Sequence, residues 1–360
     1  MLTGNIGEWS EIYTLLKVVA DKELHAGDKD LNQIESLIYP IVRVLRTESN
    51  GTYEYSYDNS LVLIKNGLIE YRIPISEFHR QASNLLTSLK NASGGTFSFP
   101  DTEKFINTFD CHSLKASSSV KTDIQVVIHD CRTGATPLLG FSIKSQLGGA
   151  STLLNASRAT NFIYKIDNVV LSDSEIEDIN SISTKSKIKD RINAIVRRLG
   201  VITFTKTENP VFGNNLMLID SALPDILSNI LCLYFTTNHT TTKELVDEIT
   251  KGNPLGYDLS SKHPFYSYKF KRFLTDIALG MMPSKVWTGE LDATGGYLVV
   301  KDDGEILCYH IYNRNEFEDY LLNNTKLETA SSTKHNFGSI YKNDLGELLF
   351  NLNMQIRFIK

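Results

Sequence analysis

The chain has 360 residues, enough for one large domain or two ordinary ones, each with its own hydrophobic core. A formal net charge of −5 excludes a global basic footprint for nucleic acid, though not a local one. Four cysteines (Cys111, Cys131, Cys232, Cys308) with no C-x-x-C pair argue against a zinc module and against a disulfide framework. The apolar runs in MLTGNIGEWSEIYTLLKVVADKEL and in LPDILSNILCLYF, which Asp225 interrupts, are too short for a signal peptide or a membrane span. The chain therefore reads as cytoplasmic, with no membrane partner.

From the N-terminus, Ile12, Leu15, Leu16 and Val19 recur at helical spacing and predict a helix over 6–22. A second helix is expected over 31–46. Residues 51–74 read as strands with a turn at Asn66-Gly67. Helical spacing returns over 75–90, then come a loop, NASGG, and a short helix, DTEKFINTF, capped by Asp101. Two strands, 123–129 and 138–145, flank the turn-rich DCRTGATP. Next, KSKIKDRINAIVRRLG gathers Lys185, Lys187, Lys189, Arg191, Arg197 and Arg198, which reads as an amphipathic helix with a solvated basic face. After a mixed stretch over 201–235, TTKELVDEIT is a helix capped by Thr241 or Thr242. The C-terminal part holds a hairpin, GGYLVVKDDGEILCYHIY, turning at Asp303-Gly304. A helix, RNEFEDYLLNNT, and a terminal strand, ELLFNLNMQIRFIK, end the chain.

Lys144 interrupts an otherwise apolar strand, LLGFSIKS, where a lysine is costly unless it is paired or used. Strand side chains alternate between faces. Ile124, Val126 and Ile128 share one face of the first strand. In the second, Phe141 and Ile143 share one face, and Ser142, Lys144 and Gln146 the other. If the apolar faces bury together, Asp123 and Lys144 project on the opposite side, where both reach one phosphate. That pairing suits metal-assisted phosphodiester hydrolysis: a carboxylate holds Mg²⁺ and a lysine orients or activates the attacking water. An exposed lysine paired with an aspartate would give the same pattern. The arrangement resembles the PD-(D/E)-x-K nuclease signature, with Ser142 standing where the second acid is expected. A hydroxyl is a much poorer Mg²⁺ ligand than a carboxylate.

Longer blocks carry a more specific resemblance. GNIGEWSEIYTLLK, KTDIQVVIHD, GFSIKSQLGGASTLLNASRATNFIYKI and DATGGYLVVKDDGEILCYHIYNRNEFEDYLLNNTKLETASSTKHNFGSIY together resemble the HpaII-type restriction endonucleases, from Gly4 almost to the C-terminus. The resemblance implies a type II restriction endonuclease that cuts double-stranded DNA at CCGG with Mg²⁺. It carries the catalytic lysine onto Lys144 and the metal-binding aspartate onto Asp123, while Ser142 departs from the pattern. Mg²⁺ would then bridge Asp123, a phosphate oxygen and the backbone carbonyl of Ile143. GEWSE has the G-x-x-x-E form that resembles the first helix of many such nucleases. Glu8 and Glu11 share one helix face, and Glu11 is favoured as the missing acid. Both would equally serve as first-turn glutamates that complement the helix dipole. Gln146 is a weaker, uncharged candidate on the Lys144 face.

For DNA reading, QLGGASTLLNASRATNF packs Asn155, Ser157, Arg158, Thr160 and Asn161 together. A site of G·C pairs favours arginine on guanine, which puts Arg158 first. SSKHPFYSYKFKRF interleaves Lys271 and Arg272 with aromatics, as a phosphate-tracking surface would, and so would a half-buried helix with a basic edge. Arg314, Lys334 and His335 lie inside the family-like block. The expected architecture is α/β: a mixed central sheet flanked by helices, with a restriction-endonuclease-like core over 1–200. An additional C-terminal α+β region over 201–360 would contribute to recognition. A palindromic site makes a homodimer on DNA the economical arrangement. Two other classes suit the same residues: a structure-specific repair or junction nuclease, and a non-catalytic DNA-binding module motivated by Ser142. No Ser-His-Asp arrangement or Gly-rich phosphate loop stands out, so no nucleotide cofactor is expected.

Overall fold

Asn5 opens α1 (Ile6–Asp21) through a capping box. Its side chain accepts from the Glu8 amide at 3.0 Å, and Glu8 Oε2 accepts from the Asn5 amide at 2.8 Å. Lys22, at φ 62°, closes the helix by donating its N–H to the Val18 carbonyl. Trp9, Ile12, Leu15, Leu16 and Val19 are fully buried, as the helical spacing requires.

The chain continues through β1 (Glu23–Gly27), β2 (Gln33–Glu48), β3 (Gly51–Asp58), β4 (Leu61–Asn66) and β5 (Ile69–Pro74). Then come α2 (Ile75–Asn91), α3 (Pro100–Asn107), β6 (Ile124–Ile128) and β7 (Leu138–Ser145). A long excursion follows: β8 (Thr152–Leu154), β9 (Asn161–Asp167), α4 (Asp173–Ser181), α5 (Lys187–Arg197) and β10 (Val201–Thr207). It continues with α6 (Pro210–Ile219), α7 (Leu223–Thr236), α8 (Thr242–Gly252) and α9 (Phe265–Leu279). The chain returns with β11 (Gly296–Val300), β12 (Ile306–His310) and α10 (Arg314–Asn323). It ends with β13 (Thr325–Leu327), α11 (Ser332–His335), β14 (Ile340–Lys342), β15 (Leu348–Asn353) and β16 (Ile356–Phe358).

The structure, a computed structural model, describes residues 1–116 and 122–360, which form two units. The first comprises 1–151, 291–320 and 360, the second 152–290 and 321–359. A nine-stranded sheet, β1-β12-β11-β7-β6-β2-β3-β4-β5, belongs to the first. It is mixed, as expected: β7 pairs parallel with β11 and β1 with β12, while its other pairs are antiparallel. The core shared with α1 takes Ile124 and Val126 from β6, Phe141 from β7, and Leu298 and Val300 from β11. The chain changes unit four times, not once near Gly200, because β11 is the strand that fills the place between β7 and β12. The second unit has a four-stranded sheet, β10-β9-β15-β14, a three-stranded one, β13-β16-β8, and helices.

Several local expectations change. Residues 31–46 are not a helix but most of β2, which pairs with β1, β3 and β6. Pro40 would break a helix interior. A bulge between Ile41 and Arg43 also shifts the alternation, burying Tyr39 and Ile41 and then Val44, Arg46 and Glu48. Asp101 is not the cap of α3; Pro100 starts that helix after Phe99, leaving Asp101 in the first turn. On α5, Arg191 departs from a solvated basic face. It is buried, with its guanidinium on the carbonyls of Asn180, Ile182 and Gly338. Thr241, not Thr242, caps α8. The terminal strand is two, β15 and β16. Among the described residues no single helix is long and apolar enough to cross a membrane, and α7 buries Leu223, Ile226, Leu227, Ile230 and Leu231.

Candidate active site

β6 and β7 come together where Ile124 pairs with Phe141 and the Asp123 amide donates to the Phe141 carbonyl at 2.9 Å. Asp123 therefore falls on the sheet face opposite Ile124. Its Oδ2 accepts the Ile143 N–H at 2.7 Å, continuing the strand edge with a side chain just before β6 begins. A strand residue's N–H and C=O leave the strand on the same side. The Ile143 carbonyl is thus directed to the Asp123 side as well.

Lys144 and Ser142 project opposite Phe141, as the alternation predicts. Ser142 is buried and pairs across β11 with Tyr297, and the Lys144 amine lies 4.9 Å from the centre of the Tyr297 ring. An aromatic face stabilises an ammonium that has lost water. Burial pushes the Lys144 amine below the ordinary lysine range, while Asp123 and Glu11 oppose that by favouring the charged form. Asp123 is raised by burial, against the Ile143 N–H and then Lys144.

Glu11, from the other side of the capping box, joins this pair. Its carboxyl is pushed up to about 7, first by burial and then by the Asp123 charge, with Arg46, Lys115 and the Ala116 N–H opposing. Glu8 is used differently. Its carboxylate caps α1 and holds Lys115 at 2.9 Å, and Lys115 is the main reason its carboxyl lies below the usual range. Gln146 lies one residue beyond β7, where its backbone N–H donates to the Val300 carbonyl at 2.8 Å.

Two desolvated carboxylates that repel each other make a place for a hard cation. Among the described residues no three His, Cys, Asp or Glu side chains converge. The protein thus offers two carboxylates, Asp123 and Glu11, and the Ile143 carbonyl. That suits a divalent ion of the magnesium kind, which keeps several waters and takes one or two carboxylates with a substrate phosphate. A cleft of about 450 Å³ reaches this place, with Glu11, Lys115, Ile143, Ser145, Gly95 and Gly149 in its walls. Asp123 and Lys144 are not among them.

Sequence patterning missed the support behind Glu11. Arg46, 3% exposed, pairs with Glu48 at 2.7 Å and donates to the Ser113 carbonyl at 2.8 Å. The Ser113 hydroxyl in turn donates to Glu48 at 2.6 Å. This buried pair fixes the segment that delivers Lys115 and Ala116. Only the polar residues in the bulged half of β2 hinted at it.

The second unit holds most DNA-reading candidates. Arg158 is exposed and pairs with Glu208 at 2.8 Å. Asn161 is wholly buried, which corrects its assignment as a base reader. Its amide donates to Glu208 at 2.7 Å and to the His335 carbonyl at 2.9 Å, and its oxygen accepts from Asn353 at 2.7 Å. Arg158, Asn161 and His335 are thus brought together around Glu208. Asn155 and Lys334 are exposed, His335 half-buried, and Lys271 and Arg272 half-buried on α9. Arg314, in the first unit, pairs with Glu318 at 2.5 Å.

The HpaII restriction endonuclease family model matches residues 5–358. The chain is 49% identical to the type II restriction enzyme HpaII of Haemophilus parainfluenzae, over 99% of each chain. No solved structure matches it. With nearly every residue inside the match, the chain belongs to the HpaII restriction endonuclease family.

Proposed function

We propose that the chain is a type II restriction enzyme that hydrolyses one phosphodiester in each strand of duplex DNA at CCGG, acting in the cytoplasm. Mg²⁺ would be held by Asp123, Glu11 and the Ile143 carbonyl. The single observation that carries the site is the geometry at the start of β6, where Asp123 accepts the Ile143 N–H at 2.7 Å beside Lys144, whose amine lies 4.9 Å from the Tyr297 ring centre. When bound, the ion supplies positive charge against the charge that develops on phosphate, and lowers the pKa of a coordinated water.

The chain's own groups do the rest. The Ile143 N–H orients the Asp123 carboxylate, and the Ala116 N–H does the same for Glu11. Lys144, held on a rigid strand over the Tyr297 ring, positions the attacking water. Its lowered pKa eases the sharing of a proton with that water. The water oxygen then bonds to phosphorus as the in-line P–O bond breaks, the water's proton leaving to solvent and the departing oxygen taking one from solvent. Arg158 is proposed to read guanine once Glu208 yields it, with Asn155, Lys271, Arg272, Arg314, Lys334 and His335 as further contacts. A homodimer on the palindrome is part of the same proposal.

A structure-specific nuclease would share this site and differ in what it cuts. Digestion of a plasmid of known sequence with Mg²⁺ separates the two. The restriction enzyme leaves discrete fragments ending at CCGG, whereas the junction nuclease leaves relaxed duplex uncut.

A further inference from the structure

The cleft that meets Glu11 and Ile143 has a second charged occupant that the hydrolytic step does not use. Lys115 stands in its wall, its side chain 62% exposed and its amine 2.9 Å from Glu8 Oε1. The other Glu8 oxygen is already taken by the Asn5 amide, so the carboxylate is fixed and the lysine is the member free to move. Its backbone is anchored, because the Arg46–Glu48 pair holds Ser113 two residues earlier. Part of the cleft wall is glycine main chain, beside side chains such as Ile6, Phe97 and Ile143. At Gly95 and Gly149 nothing lies within 4 Å of where a Cβ would be, so a ligand's backbone approaches closely there. A flexible cation on a fixed base, beside exposed backbone and next to the metal-binding acids, suits a sugar-phosphate strand.

We propose that Lys115 binds a phosphate of the cut strand adjacent to the scissile one, exchanging Glu8 for DNA. The inference rests on the Glu11–Asp123–Lys144 site being where that strand is cut. Glu8 then acts as a competitor: it parks the lysine in the free enzyme and repels phosphate until the exchange occurs. An ammonium released to a phosphate displaces condensed counterions, which gives the contact a thermodynamic signature.

The test is equilibrium binding of a labelled CCGG duplex in chelator, where no cleavage occurs, over 50–200 mM salt. Loss of one phosphate contact lowers the slope of log affinity against log salt by about 0.9, and a homodimer carrying the substitution in both protomers loses two, about 1.8. Across that range K115A should therefore lose about 12-fold less affinity than wild type, while binding more weakly at 50 mM. K115R should keep the wild-type slope, and E8Q should bind more tightly because the competing charge is gone. K115A with the wild-type slope and affinity overturns the inference, as does E8Q weakening binding as K115A does, which would make the pair a structural strut. Failure of the site itself shows elsewhere, as cleavage by D123N.

Discussion

The Ile143 amide donates to Asp123 Oδ2 at 2.7 Å, so one carboxylate both ends a strand edge and faces the proposed metal. The two roles separate by substitution. Asp123→Asn keeps an oxygen to accept from Ile143, whereas Asp123→Ala leaves a buried N–H without a partner, at a cost of about 1–3 kcal/mol. Thermal melts should place D123N close to wild type and D123A clearly below it, with both unable to cut. Equal melting of the two variants would remove the structural role of the hydrogen bond.

Gly140, on β7, pairs with Gln125 two residues along from Asp123. A Cβ there would run into the Thr122 methyl, next to Asp123. Gly140→Ala should cost roughly 1–3 kcal/mol by overpacking and lower cleavage by shifting Asp123. Thr122→Ser removes that methyl, so the double variant should recover much of both losses. Independent, additive effects would show that Gly140 does not position the acid.

Glu11 gives a pH signature in metal-free protein. Its folded carboxyl, at about 7, lies above the ordinary glutamate value of 4.5, so the folded state holds that proton more tightly than the unfolded chain. The stability it contributes is full below about 4.5 and is lost as pH rises through about 7, up to an order of 3 kcal/mol. Wild type should therefore lose melting temperature between pH 5 and pH 8 relative to Glu11→Gln. Mg²⁺ at pH 8 should restore wild type and not the variant. Parallel pH profiles for the two proteins would return Glu11 to complementing the helix dipole.

Arg158 reaches Glu208 in the free protein with its own side chain mostly exposed, so the ion pair contributes little to stability. Arg158→Ala should leave melting nearly unchanged. It should lower discrimination at one G·C pair by roughly 1–3 kcal/mol if the contact to guanine is bidentate. Competition of CCGG against single-substituted duplexes at constant salt measures it, and unaltered discrimination would assign guanine reading to another residue.

Where local chemistry repeats with a period, the sequence was enough to place it. Alternation put Asp123 and Lys144 on one face, and glycine turns set the hairpins. The spacing of Asn5, Glu8 and Glu11 distinguished a cap from a site acid only once the charges were in place. β2 was misread because its bulge mixes two phases of alternation into a pattern close to helical spacing. Asn161 was misread because composition cannot tell a buried amide from an exposed one. Lys115 and the Arg46–Glu48 pair depend on long-range packing of a coil segment and leave no periodic trace.

The most direct test is digestion of one plasmid by wild type, D123N and K144A, with and without Mg²⁺. Wild type should give discrete fragments ending at CCGG only with the metal. K144A should bind the duplex yet leave it intact, and D123N should stay inactive at excess Mg²⁺. Cutting by K144A at a rate near wild type would contradict the assignment of the catalytic site.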